Sequence, residues 1–133
     1  LDNCRFSEVR YRRLWLALGW SIVAVIVWLS LTPSPPELDV TLGDKLGHFG
    51  AYGTLMFWFC QLYQRRATRT VYAAAFAAMG IALEFIQGAT GYRSFELLDM
   101  GADAIGVAIG WCLAVLTGPD LMLRIERLAA KQR

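Results

Sequence analysis

One histidine, three cysteines and four prolines are all that 133 residues hold of the types that most often build metal sites, staple small folds or break helices. The cysteines (Cys4, Cys60, Cys112) are odd in number and follow no framework spacing, which argues against a disulfide-stapled secreted fold and for reduced, inert thiols. There is no Ser/His/Asp order, no HExxH and no phosphatase-like arginine cluster, so the familiar catalytic signatures are missing. Charge is scarce as well. At 18 % charged residues and a net charge of +2, the chain has no overall attraction to nucleic acid. Pro33, Pro35 and Pro36 fall together and Pro119 lies near the end, so long stretches run without a breaker.

Apolar residues are abundant. They make up 56 % of the chain, and the mean hydropathy of +0.41 is high for a soluble protein. Leu14 to Leu31 carries no charge; at about 1.5 Å per residue it spans most of a hydrocarbon core about 30 Å thick. It is too long for a signal-peptide core and lacks an A-x-A-like site after it, so it reads as an uncleaved first span. The stretch 32–44 is a proline-broken loop. Further spans are expected over about 46–63, 70–88 and 97–117, and the tail, with Leu121, Ile125 and Leu128 on one side, reads as a short amphipathic helix on the membrane surface. The expected fold is therefore all-α, a single domain over 1–133 with four transmembrane helices.

Orientation follows from lysine and arginine. Arg5, Arg10, Arg12 and Arg13 precede the first span, Arg65, Arg66 and Arg69 join the second to the third, and Arg124, Arg127, Lys131 and Arg133 lie in the tail. The other two loops hold Lys45 and Arg93 alone. This asymmetry predicts that both termini are cytoplasmic.

Topology then sorts the polar residues. Asp44, Lys45, His48 and Tyr52 begin the second span, Glu84 and Gln87 end the third, and Arg93, Ser94, Glu96, Asp99 and Asp103 begin the fourth. All eleven fall in the outer half of the bilayer, and helical steps of three and four put Asp44, His48 and Tyr52, Glu84 and Gln87, and Asp99 and Asp103 each on one face. Gly80, Gly106 and Gly110 continue these faces inward as small-residue packing stripes. Ionisable groups inside spans are costly, about 2.5–3.5 kcal/mol each at a helix centre, so they call for partners or a wet cavity. Thr41 or Asp44, and Ser94, are the expected N-caps.

Three segments together, DKLGHFGAYGTL from Asp44, the ExxQ of Glu84 and Gln87, and RSFELLDMGADAIGVAIG from Arg93, resemble the VanZ-like family of small bacterial membrane proteins. The resemblance covers three of the four spans. It implies a protein of the bacterial cytoplasmic (inner) membrane and a role in lowering susceptibility to glycopeptides, teicoplanin above all. It assigns no catalytic residue. Asp103 departs from the family pattern, in which asparagine is more usual, and the extra acid there favours a neighbouring cation or a raised pKa.

The polar groups then support three readings. The preferred one is an outer-side crevice that binds or moves a membrane lipid or a lipid-linked cell-wall precursor, with Lys45, Arg93 and two helix N-termini meeting a phosphate. The second is an intramembrane acid–base enzyme with Glu84 or Asp99 and His48 in the leading roles. The third is a scaffold without chemistry of its own, and a homo-oligomer is left open. His48, Glu84, Asp99 and Asp103 have suitable donors for a metal but no recognised spacing, so no metal or cofactor is expected.

Overall fold

The structure, a computed structural model, describes residues 10–33, 43–92, 94–118 and 121–131, apart from the side chain of Asp44. Five helices account for nearly all of it: α1 (Arg12–Leu31), α2 (Gly43–Leu62), α3 (Arg66–Thr90), α4 (Leu97–Thr117) and α5 (Leu121–Lys131). No strand occurs among the described residues. The apolar, proline-free runs thus form helices close to where their composition places them. At the end of α3 Gly91 takes φ 77°, a left-handed conformation that glycine adopts without strain, and so closes the helix and turns the chain towards α4.

Three of these helices, α1, α3 and α4, are long and apolar enough to cross a membrane. This corrects the expectation of four such spans: α2 does not share their apolar character. Its sequence carries Asp44, Lys45, His48, Gln61 and four glycines among its twenty residues. The reason is positional. Tyr52, Leu55, Met56, Phe59, Cys60, Gln61 and Leu62 of α2 are all buried, whereas α1, α3 and α4 turn Val25, Trp28, Ile81, Phe85, Ile105 and Leu116 outwards. α2 is the central helix, and its neighbours supply the lipid-like surface.

α2 and α4 run side by side in the same direction. Lys45 meets Asp99 at one end and Gln61 meets Thr117 at the other. Their backbones touch midway, with Gly106 against the Phe49 carbonyl and Gly110 against that of Gly53. Small residues of this kind let two helix backbones approach closely, so that packing holds them together where lipid supplies no hydrophobic force. α1 runs parallel to α3, as the Gln87 amide donating to the Ser30 carbonyl at 2.7 Å shows. An aromatic cluster of Phe59, Tyr72 and Phe76, with centroids 4.7 and 5.1 Å from the Phe59 ring, fills the opposite end of the α2–α3 contact.

At that same end α5 packs back on the bundle. Met122 is buried with Leu62, Trp15 and Leu16, while Leu121, Ile125 and Leu128 stay exposed. Glu126 accepts from the backbone N–H of Arg10 (2.9 Å) and Tyr11 (3.1 Å) and from the Trp15 indole (2.8 Å), satisfying donors that the start of α1 would otherwise leave open. Burial pushes the Glu126 carboxyl up, and these three donors outweigh it and hold it below the usual carboxylate range. The start of α1 and the tail helix therefore share one end of the bundle, opposite the polar cluster.

Candidate functional site

The polar cluster lies where α2 and α4 begin and α3 ends. Its outermost link is Lys45, whose Nζ donates to Glu96 Oε2 at 2.7 Å and to Asp99 Oδ1 at 2.9 Å. One turn further in, His48 Nδ1 lies 3.0 Å from Asp103 Oδ1, and its Nε2 faces Asp99 Oδ2 at 3.8 Å. Since a carboxylate accepts, Nδ1 carries the hydrogen towards Asp103. Asp103 thus has His48 as its hydrogen-bond partner. Asp103 Oδ2 also presses on α3 at Gly80, where an added β-carbon would stand 2.5 Å from it. Only glycine leaves room for that carboxylate.

Glu84 enters from α3. Its Oε2 accepts the backbone N–H of Glu96 at 3.1 Å, tying the end of α3 to the start of α4. Glu96, and not Ser94, is the N-cap residue of α4; its side chain is drawn to Lys45 and makes no cap bond. The Lys45 ammonium holds the Glu96 carboxyl below the usual range. Side-chain exposure falls steadily along the cluster: 43 % at Glu96, 27 % at Lys45, 13 % at His48, 5 % at Asp99 and 3 % at Asp103. An ion pair thus covers a descending series of polar groups.

Among the expected residues, Lys45, His48, Tyr52, Glu84, Asp99 and Asp103 come together. Gln87 does not join them, because its amide is spent on the Ser30 carbonyl of α1. Ser94 is exposed at the rim, 3.4 Å from Glu96 Oε1. Asp44 falls within α2 and is no cap, while its side chain, Arg93 and Thr41 lie outside the described residues. Glu96, expected with Ser94, Asp99 and Asp103 at the outer start of the fourth span, also belongs to the cluster, where it meets Lys45.

The balance of charge differs from the expectation of a phosphate-binding pocket. Glu84, Glu96, Asp99 and Asp103 face Lys45 and His48, and Lys45 is held by two carboxylates at once. The described cluster is rich in acid. Asp99, in the first turn of α4, gains from the positive end of that helix. His48, Glu84 and Asp99 each offer a donor atom within 4.8 Å of the others. The Tyr52 hydroxyl, one turn below His48, is buried and has no hydrogen-bond partner among the described residues.

The chain matches the VanZ/LLP1 family model over residues 5–118. It is also similar to an uncharacterised protein of the yeast Schizosaccharomyces pombe, 29 % identical over 110 residues that make up 77 % of this chain and 68 % of the yeast protein. No solved structure matches it.

Proposed function

The chain belongs to the VanZ/LLP1 family, and on that premise we propose that it is a multi-pass protein of a cell membrane that holds the polar headgroup of a lipid at the α2–α3–α4 cluster. A lipid-linked cell-wall precursor of a bacterial envelope is one such lipid, and lowered teicoplanin susceptibility is the phenotype it would produce. α2 crosses with the other three helices, shielded by them. The arginine-rich end with α5 faces the cytoplasm, and the cluster faces outwards, as the positive-inside rule favours.

The observation that carries this reading is the convergence of polar side chains from three helices at one end of a bundle whose flanks are apolar. Ionisable groups in such a place mark ligand or ion paths more often than packing. The graded exposure from Glu96 down to Asp103 gives a headgroup a way in once the Lys45–Glu96 pair swings aside. The surplus of acid favours positive charge at Glu84 and Asp99, whether it comes with the headgroup or from a cation held beside it.

The test is drug susceptibility in a teicoplanin-sensitive Gram-positive host that expresses wild type, Glu84→Gln or Asp99→Asn at matched membrane levels. Protection by the wild type and none by the two variants is expected, with co-purifying lipid lost in the variants. Equal protection by all three would make the acids structural. A second reading, an acid–base enzyme on a lipid-linked substrate, draws on the Asp103–His48 hydrogen bond, which orients the imidazole as a general base requires.

A further inference from the structure

Salt bridges leave part of the cluster unexplained. Glu84 is almost fully buried, yet its hydrogen bond comes from a neutral backbone N–H, and no lysine or arginine pairs with it among the described residues. A buried carboxylate without a counter-charge is expensive. The Tyr52 hydroxyl is a second unmet group. It is 2 % exposed, lies on the His48 face of α2 within electrostatic reach of Asp103 and Glu84, and has no hydrogen-bond partner among the described residues.

We propose that His48, Glu84 and Asp99 bind one first-row divalent cation, Zn2+ or Mn2+, with Asp103 orienting His48 and the Tyr52 hydroxyl meeting a water on the ion. One imidazole and two carboxylates are a donor set for such ions. Each ligand is already braced by a group behind it. Asp103 holds Nδ1 of His48 and turns Nε2 inwards, Lys45 holds Oδ1 of Asp99 so that Oδ2 faces His48, and the Glu96 N–H holds Oε2 of Glu84. A carboxylate behind a ligating histidine is the usual outer support of a metal site. The donor atoms lie within 4.8 Å of one another, against about 3.4 Å for tetrahedral ligands placed about 2.1 Å from one ion. Small side-chain rotations close that difference. Two positive charges would offset the surplus acid and turn the cluster into one that attracts a phosphate oxygen. The ion does not depend on the lipid reading, and it is measured without drug or lipid.

The experiment uses the full chain without a histidine tag, in detergent micelles, stripped with EDTA and dialysed against Zn2+ or Mn2+. Metal content by mass spectrometry should reach about one equivalent in the wild type. His48→Asn and Glu84→Gln should lose it, and Asp103→Asn should weaken it by about 10–100-fold. Glu126→Gln, at the opposite end, should keep it. Because a misfolded variant would also lose metal, the wild type supplies a separate readout: its unfolding temperature should rise with Zn2+ or Mn2+ and fall back with EDTA. A wild type that takes up no ion overturns the proposal, as do His48→Asn and Glu84→Gln variants that hold the ion as tightly as the wild type.

Discussion

Gly106→Ala tests the seam on which the cluster depends. The new β-carbon would stand 2.6 Å from the Phe49 carbonyl oxygen and 3.1 Å from the Gly53 nitrogen, both of them backbone atoms of α2 that cannot rotate aside. Even a close C–H···O contact needs about 3.3 Å, so α2 and α4 must part by about 0.7 Å. A gap of roughly 0.5–1 Å forfeits a quarter to a half of each dispersion contact along the seam. Overpacking of this kind costs about 1–3 kcal/mol, and the better helix propensity of alanine returns up to ~1 kcal/mol. The net expectation is a loss of about 1–2 kcal/mol. Gly101→Ala is the control on the same helix, since a β-carbon there meets nothing within 4 Å, and it should be neutral or slightly stabilising. Equilibrium unfolding in mixed micelles, followed by far-UV circular dichroism, measures both. A Gly106→Ala protein as stable as Gly101→Ala would refute the close approach of α2 and α4.

Arg69 donates to the Tyr63 carbonyl, the Cys60 carbonyl and Gln64 Oε1 at 2.7, 2.7 and 3.0 Å. Arg69→Ala should therefore fray the end of α2, at a cost of about 1–3 kcal/mol by the same unfolding assay. Glu126 is held below its ordinary range, so its contribution is fully present above the normal carboxylate pKa and is lost as pH falls through the depressed value. Trp15 fluorescence should change across that acid window in the wild type and not in Glu126→Gln; identical titrations would show that the contact does not form. Reporter fusions after Gln64 and after Lys131 should both register as cytoplasmic and one after Tyr92 as external. A fusion after Gln64 that registers as external would place α2 on one side of the membrane.

Whatever lay along one helix was legible in the sequence. The steps Lys45–His48–Tyr52 and Asp99–Asp103 put each set on one face, and the structure keeps them there. Relations across helices were legible only in outline. That Lys45 meets Asp99 depends on the register of α2 against α4, which Gly53 sets together with Gly106 and Gly110, and Gly53 does not stand out in a glycine-rich segment. Gln87 shares a stripe with Glu84, but a difference of three residues is enough to carry its amide past the cluster to Ser30. Glu126 and the Arg10 and Tyr11 N–H groups are more than a hundred residues apart, and no local pattern joins them.

The largest departure concerns α2, and its cause bears on how such chains are read. Mean hydropathy registers how a helix would fare in lipid, so it finds α1, α3 and α4, whose outward faces carry Trp28, Phe85 and Leu116. A helix surrounded by the others meets backbone, aromatic rings and carboxylates instead. There, glycines that bring Gly53 against Gly110 contribute more than leucines would, and Lys45 and His48 are tolerated because Asp99 and Asp103 answer them. The low hydropathy of α2 goes with its central position from Tyr52 onwards, while Gly47 and Gly50 nearer its start are exposed. The same position gives α2 a contact with every element of the cluster, so the segment least like a membrane span is the one from which the site is built.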